Sequence, residues 1–232
     1  MKISDPVTHC LQEYGYSSDL IEEVVVGDKY LACLLKNGQL GVCATLGHDF
    51  PENYSYLSLP DSKKLCDRIL LNAYFNALLN YDRKYTSHKD IYDFIHFEKY
   101  KRIVMVGYFA SLITKFYKAG IHLDIFDLNK QHPDVIPMNS QIDFISRADA
   151  MILTSTSLFN GSFASLVKVS RKNSDIFMLG PSTILNPFMY QYPNISKIFG
   201  TIFPQNQKLV MKMIKEGHGT PSFGKLGHKV YL

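Results

Sequence analysis

The stretch Ala150-Met151-Ile152-Leu153-Thr154-Ser155-Thr156-Ser157-Leu158-Phe159-Asn160-Gly161-Ser162, answered by Asp175-Ile176-Phe177-Met178-Leu179-Gly180-Pro181-Ser182, decides the fold. Two short apolar runs, at 151–153 and 176–179, each break off into small polar residues, as buried parallel strands do where they open into loops. Between them Phe163, Leu166, Val167 and Ser170 follow helical spacing. The unit reads strand, polar loop, helix, strand, polar loop, with both loops on one edge of a sheet. In open α/β sheets that edge is where ligands bind.

Working outward, the same alternation recurs on both sides. Residues 103–106 read as a strand ending in Gly107-Tyr108-Phe109, followed by a helix to about Lys118 that Gly120 closes. A strand over 121–126 ends at Asp127, and helical residues over 140–147 lead back into the central unit. After it come a strand at 195–199, a helix over 205–215, a glycine-containing tail and a last strand at 229–232. Right-handed crossovers put all parallel strand ends on one side, so Gly107, Asp127, Thr154, Ser155, Thr156, Gly180, Pro181 and Ser182 should converge on one crevice.

The first third has a different period. Asp5-Pro6 is a helix N-cap followed by proline at the first helical position, and Val7, Cys10, Leu11 and Tyr14 form one apolar face closed by Gly15. Residues 24–26, 30–35 and 40–45 are β-like and are separated by Gly27-Asp28 and Asn37-Gly38, which predicts a three-stranded antiparallel meander. An exposed edge on such a meander makes a homodimer an expectation. A helix over 63–80, capped by Asp61 or Ser62, places Asn76 and Asn80 near the face that carries Leu65, Ile69 and Ala73. A buried amide there must find hydrogen-bond partners. Residues 82–99 are polar, with a weak helical stretch over 91–97, and the boundary between domains 1–98 and 99–232 is expected in that segment. The expected fold class is therefore α/β: a small α+β domain, then a mostly parallel sheet.

The chain of 232 residues, 46% hydrophobic, is ordinary for globular protein, and no apolar run reaches the roughly 18 residues of a membrane span. With no basic-then-apolar leader, a cytoplasmic location and no membrane partner are expected. A net charge of +4 with scattered lysines gives no basic stripe and no expectation of nucleic acid. The four cysteines, Cys10, Cys33, Cys43 and Cys66, form no paired motif, which argues against a disulfide framework or a zinc ribbon.

Three chemistries are open at the crevice. Asp127 stands twenty positions after Gly107, where a dinucleotide fold contacts a ribose, but Gly107-Tyr108-Phe109-Ala110-Ser111 lacks the second and third glycines of the phosphate fingerprint. Thr154, Ser155, Thr156, Asn160, Gly161 and Ser162 offer hydroxyls, an amide and backbone N–H groups ahead of a helix, which suits an anion; equally, Asn160 or Ser162 simply caps that helix, and Gly180-Pro181-Ser182 is only a tight turn. Metal ligands could come from loops at His48-Asp49, at Asp127, His132 and Asp134, and at His218 between glycines. No nucleophile elbow supports a hydrolase, and no reaction is assigned.

The strand Val104-Met105-Val106-Gly107-Tyr108-Phe109, the run from Leu153 through Ser162 and Leu179-Gly180-Pro181-Ser182 together resemble the family called the putative heavy-metal chelation domain. Ala73-Tyr74-Phe75-Asn76-Ala77-Leu78-Leu79-Asn80 resembles a helix of the enolase-N-terminal-like domain that usually precedes it. The resemblance implies an enolase-N-terminal-like domain packed on a Rossmann-like one, with a ligand site in the cleft between them. It also implies a transition or heavy-metal ion as the bound species, and Gly107, Thr154, Thr156, Asn160, Gly161, Gly180, Pro181 and Ser182 as cleft residues, with Asn76 contributed from the first domain. Ser155 stands where the family often has glycine, Ser162 where threonine is usual, and Asp127 where glutamate is common. His218 interrupts the glycine cluster Glu216-Gly217-His218-Gly219. Soft metals prefer thiolate and imidazole over such hydroxyl and amide groups, which favours a small anionic ligand or metal chelate. Asp127, His218 and His48 are the candidate metal ligands. A nucleotide or small anionic metabolite, or a non-catalytic assembly role, are the alternatives.

Overall fold

In the computed structural model, residues 4–51, 54, 56–85, 89–128 and 131–232 are described. The chain opens with α1 (Pro6–Tyr14), whose N-cap Asp5 accepts the Thr8 N–H at 2.9 Å, with Pro6 at the first turn. The meander follows as β1 (Ile21–Val26), β2 (Tyr30–Leu35) and β3 (Leu40–Ala44), antiparallel throughout, with Gly38 at φ 84° in the β2–β3 turn. Helix α2 (Leu65–Leu79) covers one face of that sheet so closely that a Cβ on Gly41 would lie 2.0 Å from the Ala73 carbonyl oxygen. Its N-cap is Lys64, without a side-chain hydrogen bond, rather than Asp61 or Ser62. Asp61 instead accepts the Lys63 N–H, while its own N–H goes to Asp67.

After the short α3 (Ile91–Phe94), the second half alternates β4 (Ile103–Val106), α4 (Ala110–Lys118), β5 (Asp124–Phe126), α5 (Gln141–Arg147), β6 (Ala150–Thr154), α6 (Phe163–Val169), β7 (Asp175–Leu179) and β8 (Ile195–Ile202). It closes with α7 (Gln207–Lys215), α8 (Thr220–Phe223) and β9 (His228–Tyr231). The strand over 121–126 is shorter than its sequence pattern, because the Ile121 N–H turns back to Phe116 O to finish α4. Strand order is β5-β4-β6-β7-β8-β9, parallel except for the β8–β9 pair. Fold class is thus α/β: an antiparallel three-stranded sheet with helices, and a mostly parallel six-stranded sheet with helices.

Leu112 and Phe116 of α4 pack on one face of the parallel sheet with Met105, Ile152 and Phe177. Ile145 of α5 and Phe163 and Leu166 of α6 pack on the other, with Val104, Met151 and Met178. This second core continues without a break into Leu31, Cys33, Ile69 and Phe75 between the meander and α2. Helix α7 covers the meander's other face, where Val210, Met211 and Ile214 meet Val25, Ala32, Leu34 and Val42. Crossovers therefore leave β4 toward one face and enter β6 from the other. A crevice opens at the carboxyl ends where the winding reverses. No helix of the described residues is long and apolar enough to cross a membrane.

Candidate functional site

At the point where the winding reverses, the chain leaving β4 and the chain leaving β6 touch. Gly107 has φ 102°, and a Cβ there would lie 2.8 Å from Thr154 Cβ, so only glycine lets the two loops approach this closely. One position along, the Tyr108 N–H donates to Asp127 Oδ2 at 2.8 Å, tying the end of β4 to the end of β5. The Thr154 and Thr156 hydroxyls lie 3.1 Å apart, and the Ser157 hydroxyl donates back to Thr154 O. Helix α4 begins here at Ala110 with no side chain capping it. Its first N–H groups therefore open toward the strand ends with the positive end of the helix dipole. Gly107, Tyr108, Asp127, Thr154, Thr156 and Asn160 are all half-buried and reachable from solvent.

Asn160 and Ser162 resolve into one turn: Asn160 Oδ1 accepts both the N–H and the hydroxyl of Ser162, and Ser162, the N-cap of α6, makes no capping bond of its own. Gly161, exposed at φ 83°, carries the turn. Ser155 is buried beneath Gly180, whose Cβ would lie 2.3 Å from the serine hydroxyl. Close approach persists at this point because Gly180, at φ 140°, rather than residue 155, is the glycine.

The loop after β7 is bound from the other side by α2. Arg68, Asn72, Asn76 and Asn80 recur every four residues along one slanted ridge of that helix. The Asn72 amide donates to Ser182 O at 2.9 Å; Asn76 to Pro181 O at 2.9 Å and Thr183 O at 3.1 Å; Asn80 to Thr183 O at 2.9 Å, while its Oδ1 accepts the Leu185 N–H. Arg68 reaches the carbonyls of Leu158 and Phe159 and pairs with Asp5 at 2.7 Å. The Ser182 hydroxyl accepts the Ala44 N–H at the end of β3. Asn72, Asn76, Asn80 and Ser182 are fully buried, and among the described residues Asn72 Oδ1 and Asn76 Oδ1 meet no hydrogen-bond partner. Asn76 thus grips the carbonyls on either side of Ser182, while Asn72 takes that of Ser182 itself. Arg68 and Asn72 escaped the sequence reading, although a polar residue at every fourth position of an otherwise apolar helix was the available signal.

The nominated metal ligands are not gathered. His48 is exposed on the loop after β3, its ring 6.1 Å from that of Phe50. His218 sits 3.7 Å from Glu216 and lines a separate open pocket of about 570 Å³ with Asp28, Lys29 and Gly47. Asp127 stays at the end of β5. Among the described residues no three His, Cys, Asp or Glu side chains form a group able to hold a metal ion. Nor do the cysteines supply thiolates: burial pushes the Cys33 thiol up to about 12 and raises Cys10 and Cys43 further, and Cys66 is raised by burial and then by Asp67. This donor set does not fit a naked soft metal ion.

A family model described as putative heavy-metal chelation matches residues 90–232. No curated protein matches the chain. Among solved structures, a protein of unknown function from Pyrococcus horikoshii is similar over 100% of this chain and 99% of its own, with TM-score 0.82 and 18% identity. One from Desulfitobacterium hafniense, also of unknown function, is similar over 97% and 96%, with TM-score 0.75 and 16% identity. Both were described as members of that same family, and at these identities the likeness is one of fold.

Proposed function

The chain belongs to the putative heavy-metal chelation family, and from that premise we propose that it binds metal as a preformed anionic chelate at the crevice where β4 and β6 diverge. The observation that carries this reading is the Gly107–Thr154 approach, which brings the uncapped start of α4 beside the Thr154 and Thr156 hydroxyls. N–H dipoles and hydroxyls suit the carboxylate or phosphate oxygens of a chelate. Asp127 at the crevice edge supplies a hard oxygen facing the cation such a chelate carries. The protonated thiols and scattered imidazoles support the same choice of chelate over bare ion. The residues of this site belong to the expected second domain, 99–232, and Arg68 of α2, in the expected first domain, 1–98, braces the wall behind it through the Leu158 and Phe159 carbonyls at the cleft between the two.

A second reading is favoured by one feature: Asp127, tethered by Tyr108 N–H at the end of the second strand of the winding, stands where a nucleotide ribose is read in doubly wound folds. Calorimetric titration of chelator-stripped protein with nickel chloride, nickel citrate and AMP separates the two. Saturable heat with nickel citrate alone, lost in Thr154→Val/Thr156→Val, is the expected result. Heat with AMP and none with nickel citrate replaces this reading with the second, and heat with nickel chloride equal to that with the citrate complex refutes the chelate.

A further inference from the structure

A second cavity, of about 400 Å³, lies on the opposite flank of α2 from the asparagine ridge. Tyr14, Gly15, Tyr16, Tyr74, Leu78 and Asp82 line it; Tyr14 and Asp82 are exposed and Tyr16 is half-buried, whereas Tyr74 is only 1% exposed. The chain reverses there because Gly15 takes φ 70° at the end of α1, with open space where a Cβ would be. Two of the rings are fixed by their hydroxyls. Tyr16 donates to Tyr56 O, and the Tyr74 hydroxyl accepts the Ser17 N–H at 3.4 Å. Their centroids lie 4.9 Å apart at 54°, so the buried Tyr74 ring backs the half-buried Tyr16 ring.

The charge of this cavity runs against that of the chain. The net charge is +4, yet among the described residues no Lys, Arg or His lines the cavity, and Asp82 is its one ionisable group there apart from the tyrosines. Burial raises Tyr14 first, then Cys10 and Glu13, against a hydrogen bond with Asn186 that lowers it, and Asp82 raises it further, while neighbouring Arg83 acts on Tyr85 and Tyr190. Aromatic faces backed by carboxylates and free of competing cations attract a positive ligand through the ring quadrupole. We infer that this tyrosine cavity binds a small organic ammonium cation, and that it does so independently of the crevice at β4 and β6.

Choline and 3,3-dimethylbutan-1-ol, which replaces the charged nitrogen with carbon, test the charge requirement by titration followed in the tyrosine ring resonances. The expected result is saturable choline binding with the neutral isostere at least about tenfold weaker, a factor that corresponds to about 1.4 kcal/mol. Tyr14 is 41% exposed, so its replacement leaves the core intact. Tyr14→Ala should weaken choline at least about tenfold while Tyr14→Phe retains it, and Asp82→Asn should weaken it several-fold, with unfolding temperatures unchanged. Equal binding of the two probes, or full choline binding by Tyr14→Ala, overturns the inference, as does the absence of saturable choline binding by the wild-type protein.

Discussion

Two stretches of the same sheet edge use similar residues to opposite ends. After β7, the carbonyls of Pro181, Ser182 and Thr183 are taken up by amides from α2, and Asn72, Asn76, Asn80, Ser182 and Thr183 are fully buried. After β4 and β6, the Tyr108 N–H meets Asp127, the Thr154 and Thr156 hydroxyls meet each other, and all four residues stay half-buried. The lesson is that glycine, serine, threonine and asparagine at strand ends do not by themselves mark a ligand site. What distinguishes the two stretches is burial: α2 encloses the first, and the second stays open to solvent.

The joint should break hardest. Asn76→Ala strips two donors from buried carbonyls and leaves a void, which should cost about 3 kcal/mol and lower the unfolding temperature by roughly 6–12 °C in a chain of this length. A loss smaller than about 1 kcal/mol would mean that the ladder is not what holds the halves together. Next in size, Gly107→Ala places a Cβ against Thr154 at a positive φ and should cost about 1–3 kcal/mol; calorimetric unfolding measures it, and nickel citrate binding should fall with it. Asp127→Asn, on the open stretch, should change stability by no more than about 0.5 kcal/mol while weakening the ligand. The contrast with Asn76→Ala is the sharpest form of the comparison.

Thiol chemistry probes the same division from the side of the metal. With Cys10, Cys33 and Cys43 buried and their thiols held protonated, an aromatic disulfide reagent at neutral pH should label Cys66 alone in the native protein and all four cysteines after denaturation. Rapid native labelling of more than one thiol would reopen direct binding of a soft metal. The smallest effect is a control outside both stretches. Burial pushes the Asp90 carboxyl up, but hydrogen bonds from Lys229 and the Tyr92 N–H and the charges of Lys229 and Lys115 outweigh it and leave it below the usual aspartate value. A depressed folded value contributes stability above the ordinary pKa near 4 and loses it as pH falls through the folded one. Asp90→Asn should therefore lower stability by less than about 1 kcal/mol at pH 7, with the difference vanishing in acid.

Much of this architecture was legible in the sequence. The apolar runs of β4, β6 and β7 with their abrupt polar ends, the Asn37-Gly38 hairpin and the Asp5-Pro6 helix start are local signals, and each corresponds to an observed element. What escaped is tertiary. The antiparallel return of β9 onto β8, and α7 clasping the meander where Gly27 admits the Ile214 carbonyl, depend on contacts that no local pattern encodes. At the edge itself, sequence listed the groups that could meet a ligand but not their competitors. Ser182 and Asn76 read as site residues, and the structure places both in the contact between α2 and the loop after β7; the every-fourth-residue ridge of Arg68, Asn72, Asn76 and Asn80 signalled that contact in sequence but not what it would meet.

Hydrogen–deuterium exchange of the chelator-stripped protein, with and without nickel citrate, tests most directly whether the open stretch is the site and the closed one the joint. Slow exchange is expected over 181–185 in both states, with new protection on ligand addition over 107–112 and 154–162. Protection gained instead over 181–185, or in neither stretch, would contradict this assignment.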